Sequence, residues 1–200
     1  MKRIGIIGGT FNPVHNAHLI IAEHFCNSMK LDICIFIPAN ISPFKVDDKK
    51  ANENNTEHRL KMLELAIEGH PKFRIDTYEI SKGGVSYSYD TLQYLKNKYP
   101  ADILFMLIGS DQALSFHDWG NWEKILQIVQ VCVALKNEDI EKTSLIESIL
   151  KNEVHPPVFL NSPLIEISSS IIRRRISDSK PIHNLVPAEV EKYILENRLY

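Results

Sequence analysis

The chain has 200 residues, of which 44% are hydrophobic and 24% are charged, and its formal net charge is −2 at pH 7. This length and composition predict a single soluble globular domain over residues 1–200, with room for a substantial core. The charge balance lacks the positive excess that holds a nucleic-acid backbone, and no apolar run is long enough to span a membrane, so we expect neither as a partner.

Predicted strands and helices alternate along the chain. Short apolar runs rich in β-branched residues predict buried strands at 4–7, 33–37, 103–108 and 129–135. Amphipathic patterns predict helices at 19–29, 59–68, 88–98 and 140–151. A terminal helix is predicted at 187–197, within a helical C-terminal part that runs from about residue 163 to residue 200. This order predicts an α/β fold with a doubly wound, mostly parallel, Rossmann-like sheet.

The turns that leave three of these strands are polar, and they span residues 8–18, 38–45 and 109–118. Ligands of doubly wound sheets bind beyond the carboxyl ends of the strands, so we expect these turns to converge on one crevice. Segment 47–55 is polar and carries no periodic pattern, which predicts a mobile loop that could cover the crevice.

The first of these turns carries the most informative pattern. Gly8 and Gly9 follow the first strand, and His15 and His18 stand three residues apart at the start of the first helix. Side chains with that spacing share a helix face, and the N–H groups and positive dipole end of the helix point the same way. This combination predicts an anion pocket, most simply for phosphate. A zinc site with His24 as third ligand is disfavoured, because HExxH, paired cysteines and an obvious acidic ligand are all absent.

A second motif, ISSSIIRRR, occupies residues 167–175. Serines favour helix caps, so Ser168 and Ser169 before an apolar pair predict a helix start rich in hydrogen-bond donors. Arg173 falls in or just after the first turn, where a guanidinium would meet an anion already held by hydroxyl and N–H groups. A capped helix with a solvated basic face is the alternative interpretation, and it suits Arg174 and Arg175.

The three cysteines, Cys26, Cys34 and Cys132, form no CxxC pair, and each lies in an apolar run. An odd and sparse set of this kind predicts buried free thiols rather than a disulfide framework. We therefore expect a reducing compartment and a cytoplasmic protein.

Taken together, these motifs resemble a known enzyme family. Residues 8–18 (GGTFNPVHNAH) match the pattern GGTFDPVHxGH, and residues 167–173 (ISSSIIR) match ISSTxIR, the two terminal motifs of the HxGH nucleotidyltransferases. Residues 86–92 (SYSYDTL) and 108–111 (IGSD), with Trp119 following, resemble the branch formed by the bacterial nicotinate-nucleotide adenylyltransferases. The similarity covers nearly the whole chain.

The resemblance implies that the AMP moiety of ATP is transferred to nicotinate mononucleotide, giving nicotinate adenine dinucleotide and pyrophosphate in NAD biosynthesis. It implies catalytic roles for His15, His18 and Arg173. The implied ATP site comprises Gly8, Gly9, Thr10, Phe11, Gly109, Asp111, Ser168 and Ser169, and the implied site for the second substrate comprises Lys45, Ser88 and Trp119. Mg²⁺ would be carried on the ATP phosphates, with no metal site in the protein. A homo-oligomer is left open.

Several alternatives to this interpretation stay open. Nicotinamide mononucleotide is the near rival as substrate, and cytidylyltransferases share the two terminal motifs. Asn12, Ala17 and Phe44 replace the Asp, Gly and His that the family pattern leads us to expect, which would suit a nucleotide-binding sensor without turnover. A dehydrogenase and a P-loop protein are disfavoured, because neither GxGxxG nor GxxxxGK[ST] occurs in the sequence.

Overall fold

A six-stranded parallel sheet forms the centre of the molecule. The computed structural model describes residues 1–43, 56–135, 142–152, 154–161 and 165–200. The strands are β1 Arg3–Gly9, β2 Ile33–Pro38, β3 Phe73–Ile75, β4 Ile103–Gly109, β5 Gln130–Leu135 and β6 Val158–Asn161. Their order across the sheet is β3-β2-β1-β4-β5-β6, and each neighbouring pair is parallel. The predicted doubly wound parallel sheet is therefore confirmed.

Helices lie on both faces of this sheet. They are α1 Asn16–Ser28, α2 Thr56–Ile67, α3 Tyr78–Lys82, α4 Ser88–Lys98, α5 Ser110–Leu114, α6 Trp122–Ile128, α7 Thr143–Ile149, α8 Ser169–Ser177 and α9 Ala188–Glu196. A 3₁₀ turn, Phe116–Asp118, connects α5 to α6. The helix predicted at 140–151 begins later and ends earlier, as α7, and residues 140 and 141 lie outside the described chain.

Alternate strand side chains contribute to two hydrophobic cores, one on each face of the sheet. Ile7 and Phe36 pack with apolar residues of α1, α2, α8 and α9. Ile4 and Ile6 pack on the opposite face with residues of α4, α6 and α7. This burial on both faces explains why the strands are continuous apolar runs in the sequence. The C-terminal helices α8 and α9 share one core with α1 and α2.

The buried thiols agree with the prediction: Cys26, Cys34 and Cys132 are all buried and free. Within the described ranges, no helix combines the length and apolar character that a membrane span requires. Sequence patterns missed the shorter elements, among them β3 with three residues and β6 with four. Runs of that length are too short to display a period.

The strand order reverses between β1 and β4. From β1 the chain proceeds through β2 to β3 on one side, and from β4 through β5 to β6 on the other. At such a switch point the connections leave neighbouring strands in opposite directions, which opens a space beyond their carboxyl ends.

Candidate active site

A crevice with a volume of ≈ 510 Å³ opens beyond the carboxyl ends of β1, β2 and β4. Its walls come from residues 8–10 after β1, from Ala39, Ser42 and Pro43 after β2, and from residues 118–120 beyond β4. The start of α4 closes one side with Tyr87 and Ser88. Each of the three predicted turns therefore contributes residues to one crevice, the third of them through Gln112 and Asp118.

The turn after β1 has an unusual backbone. Phe11 is 2% exposed and has a φ of +49°, in the left-handed region that costs a non-glycine residue about 1–2 kcal/mol. The peptide bond between Asn12 and Pro13 is cis. A Cβ on Gly9 would lie 3.0 Å from the nearest ring carbon of Phe11, so the ring would have to shift by a few tenths of an ångström to admit a larger residue. A left-handed Phe11 persists only where its surroundings hold the backbone in place.

Side chains at the start of α8 hold one part of this turn. Ser169 Oγ donates a hydrogen bond to the carbonyl oxygen of Pro13 at 2.9 Å, and Arg173 Nη1 donates to the carbonyl oxygen of Asn12 at 2.7 Å. The two side chains are four residues apart and so share one helix face. Ser168 is the N-cap of α8, and its hydroxyl accepts a bond from the N–H of Ile171 at 3.2 Å. The second sequence motif is therefore brought directly onto the first.

Arg59, in the first turn of α2, holds the beginning of the turn after β1. Its Nη1 donates to the carbonyl oxygens of Thr10 at 2.7 Å and Ala39 at 2.8 Å. Burial lowers the pKa of this arginine, which is 4% exposed, although a guanidinium stays charged in proteins. On the far side of the turn, the Tyr200 hydroxyl donates to Asn12 Oδ1.

The two histidines stack at the start of α1. Their ring centroids are 3.6 Å apart with an interplanar angle of 21°, and the Phe11 ring meets His18 edge-on at 5.1 Å. His15 is the N-cap residue and is 5% exposed, and its N–H donates to His18 Nδ1 at 3.2 Å. In neutral His18 this bond assigns the ring proton to Nε2.

Burial keeps both imidazoles neutral at pH 7. Desolvation lowers the pKa of His15 from 6.5 to about 4. Desolvation and, to a smaller extent, the charge of His15 lower the pKa of His18 to about 3. The Nδ1 atom of His15 is buried without a hydrogen-bond partner among the described residues. An anion placed beside these rings would favour their charged forms and raise both pKa values.

More of the N–H groups at the start of α1 form hydrogen bonds within the protein than the sequence suggested. The N–H of Asn16 donates to the carbonyl oxygen of Leu185 at 2.9 Å, and its side-chain amide donates to that of Asn184 at 2.7 Å. The N–H of His18 donates to the carbonyl oxygen of His15 at 2.9 Å. The expectation that these N–H groups are free for an anion is therefore wrong at these two positions.

Residues 6–175 match the cytidylyltransferase-like protein family. The nicotinate-nucleotide adenylyltransferase of Bacillus subtilis (strain 168) is 37% identical over 202 residues, which cover 100% of this chain and 99% of that protein. A probable nicotinate-nucleotide adenylyltransferase of Bacillus licheniformis is 38% identical over 200 residues, with the same coverage. The chain belongs to the cytidylyltransferase-like family. It is a nucleotidyltransferase.

Solved structures support the same fold. A Plasmodium falciparum nicotinic acid mononucleotide adenylyltransferase, solved with APC and with NaAD, has a TM-score of 0.79 at 20% identity. The similarity covers 100% of this chain and 98% of that one. The chain therefore shares the fold of that protein over its whole length.

Apart from Gly109, Asp111 and Lys45, the site residues expected from the sequence fall into two adjoining groups. Those on the crevice wall are Gly8, Gly9, Thr10, Ser88 and Trp119. Those around the turn after β1, outside the wall, are Phe11, His15, His18, Ser168, Ser169 and Arg173. The groups meet at residues 8–11, so one extended ligand could contact both.

Two expected residues lie away from the crevice wall, and a third lies outside the described residues. Gly109 and Asp111 are not among the described residues on the crevice wall, where Gln112 lies instead. Asp111 is exposed in the first turn of α5, and Gly109 donates its N–H to Gln112 Oε1 at 3.0 Å. Lys45, like the predicted 47–55 loop, lies outside the described residues.

Arg59 and Tyr200 also belong to this site, although no sequence pattern predicted a role for them there. Arg59 precedes the buried Met62 and Leu63 by one helical turn, so it occupies the apolar face of α2. A charged residue on that face was a signal that could have been read from the pattern. Tyr200 has no comparable signal, because its contact with Asn12 joins residues 188 positions apart.

Nucleotidyltransferases of the cytidylyltransferase-like family generally depend on a divalent metal ion. The described part of the chain contains no cluster of three or more His, Cys, Asp or Glu side chains that could hold one. The donors around the turn after β1 are imidazole, hydroxyl and guanidinium groups, which suit phosphate oxygens better than a hard cation. This donor set fits a metal that arrives bound to a nucleotide.

Proposed function

We propose that this chain transfers the AMP moiety of ATP to nicotinate mononucleotide, forming nicotinate adenine dinucleotide and releasing pyrophosphate. One observation carries the proposal. Two helix starts from opposite ends of the chain meet on the turn after β1: α1 brings His15 and His18, and α8 brings Ser169 and Arg173. Imidazole, hydroxyl and guanidinium donors gathered beside a nucleotide-sized crevice suit a triphosphate.

The two residue groups divide the substrates between them. The ATP phosphates lie along residues 8–11, within reach of both histidines, Ser168, Ser169 and Arg173, with Gly109 and Asp111 on the side of the nucleoside. The pyridine ring enters the crevice and stacks on Trp119, and backbone N–H groups near Ser88 and Gly120 receive its carboxylate. Lys45 meets the phosphate of the mononucleotide.

The reaction needs no protein nucleophile, because the attacking group is already an anion. An oxygen of the mononucleotide 5′-phosphate attacks the α-phosphorus of ATP in line, and the bond from that phosphorus to the pyrophosphate oxygen breaks. The protein contributes orientation, worth roughly 7–11 kcal/mol at best, and stabilises the charge that develops. His18 offers its Nε2–H to a phosphate oxygen, because its Nδ1 is held by the N–H of His15.

The metal of this reaction is proposed to be Mg²⁺, carried in with ATP on its phosphate oxygens. When bound there, Mg²⁺ neutralises part of the triphosphate charge. Three buried free thiols suit a reducing compartment, and we place the enzyme in the cytoplasm. It acts on small nucleotides and not on nucleic acid, and its oligomeric state is a question for solution measurement.

A rate assay tests the proposal. Purified protein is incubated with MgATP and either nicotinate or nicotinamide mononucleotide, and pyrophosphate release and dinucleotide formation are followed together. The proposal expects both products in equal amounts and a higher kcat/KM for the nicotinate substrate. A tenfold preference for the nicotinamide substrate would replace the assigned substrate. Nucleotide binding without pyrophosphate release would favour the sensor alternative.

A further inference from the structure

Arg59 lies directly behind the wall of the crevice. Its Nη1 donates to the carbonyl oxygens of Thr10 and Ala39, and both of these residues line the crevice. Its Nη2 donates to Thr56 Oγ1 at 3.1 Å, which fixes the guanidinium to the start of α2. The arginine is 4% exposed, so it forms the floor beneath the crevice and not part of its open surface.

The same contacts join the turns that follow β1 and β2. The N–H of Ala39 donates to the carbonyl oxygen of Gly9 at 2.9 Å, and among the described residues this is the last backbone bond between the segments that leave β1 and β2. One residue beyond the end of β1, Arg59 bridges the carbonyl oxygens of Thr10 and Ala39 with a single nitrogen. The guanidinium thus continues the connection after the sheet ends and sets the distance between the two turns.

The charge of Arg59 is not matched by an acid in the described chain. The hydrogen bonds of its side chain end on two carbonyl oxygens and one hydroxyl, all neutral. None of the ion pairs between described residues includes it. A buried cation with neutral partners has an unfavourable free energy that a nearby anion would reduce. The turn that it supports is the one proposed to hold the triphosphate.

We propose that Arg59 is a positioning residue for adenylyl transfer: it holds the turns after β1 and β2 at a fixed distance and supplies positive charge behind the bound triphosphate. This inference rests on the proposed function for the identity of the anion. Arg59 itself touches no substrate, since the backbone of Thr10 and Ala39 lies between them. Its two roles make separate predictions, because a lysine beside a bound polyanion keeps the charge, but with one nitrogen it cannot reproduce the rigid fork that bonds Thr10, Ala39 and Thr56 together.

Binding of inorganic tripolyphosphate, measured by titration calorimetry, tests the charge. Arg59→Gln should weaken binding by about tenfold and reduce its dependence on salt, and Arg59→Lys should stay within about threefold of the wild type. Arg74→Gln is the control, because Arg74 is exposed and bonds the carbonyl oxygen of Phe73, and neither residue lines the crevice. Equal weakening in both Arg59 variants, or unchanged binding in Arg59→Gln, would overturn the charge role.

Kinetics test the bridge. Arg59→Lys should lower kcat by at least about tenfold while leaving the KM for ATP nearly unchanged, because misplaced turns disturb the reacting geometry more than anion binding. An unchanged kcat in this variant would overturn the bridging role. Circular dichroism checks folding first, and Arg59→Lys keeps the test decisive if Arg59→Gln does not fold. Inactivity of the wild type towards nicotinate mononucleotide would count against the proposed function alone, because tripolyphosphate binding needs no second substrate.

Discussion

Acidification should destabilise this protein through the stacked histidine pair. Both folded pKa values lie below the unfolded value near 6.5, at about 4 for His15 and about 3 for His18. Between those limits the unfolded chain binds more protons than the folded one, so stability rises with pH and falls on acidification. The stabilisation is therefore fully present above pH 6.5 and declines as the pH drops through 6 and 5.

The expected size follows from linkage. Lowering the pH from 7.5 to 5 protonates an unfolded histidine almost completely and leaves the buried one neutral, which costs about 2 kcal/mol for each of the two imidazoles. Urea unfolding, followed by tryptophan fluorescence at several pH values, measures this directly. His15→Asn combined with His18→Asn should remove most of the pH dependence in that range. His117→Asn, at an exposed position, serves as the control and should leave the pH dependence of stability unchanged.

The reasoning fails if the double variant and the wild type lose the same stability between pH 7.5 and 5. It also fails if ATP leaves the pH dependence of the free energy of unfolding unchanged. Bound phosphates would raise the histidine pKa values, so the wild type with ATP should take up protons near pH 6. Calorimetry in two buffers of different ionisation enthalpy measures that uptake.

Three further predictions concern single positions. His18→Ala should lower the rate by on the order of 10²–10³, since one well-placed donor is worth about 2.7–4 kcal/mol. The melting temperature should stay within a few degrees of the wild type. An activity within threefold of the wild type would contradict this prediction. Tyr200→Phe should destabilise the protein by about 1 kcal/mol in urea unfolding, because Asn12 Oδ1 loses its donor. Gly5→Ala should cost about 1–3 kcal/mol, because its Cβ would lie 2.4 Å from Leu31 Cδ1 and 2.8 Å from Phe25 Cε1 in the core; normal stability would contradict that packing.

Local patterns were sufficient for much of the fold. Continuous apolar runs marked β1, β2, β4 and β5, because strands covered on both faces carry no polar alternation. The spacing of His15 and His18 predicted a shared position at the start of α1, since three residues make nearly one helical turn. Short elements such as β3 and α3 were not predicted, because they are too short to show a hydrophobic period and their conformation depends on neighbouring elements.

Contacts between residues that are far apart in the sequence are set by the tertiary structure. The sequence by itself determined which residue types could hold a phosphate and that two helix starts would carry them, because caps, dipoles and side-chain spacing are local properties. Only the folded chain decided that Arg173 reaches the carbonyl oxygen of Asn12, 161 positions away, and that Arg59 and Tyr200 join the same turn. Such contacts follow from the order of strands in the sheet and the packing of helices against it. Neither the strand order nor the helix packing can be read from a short stretch of sequence.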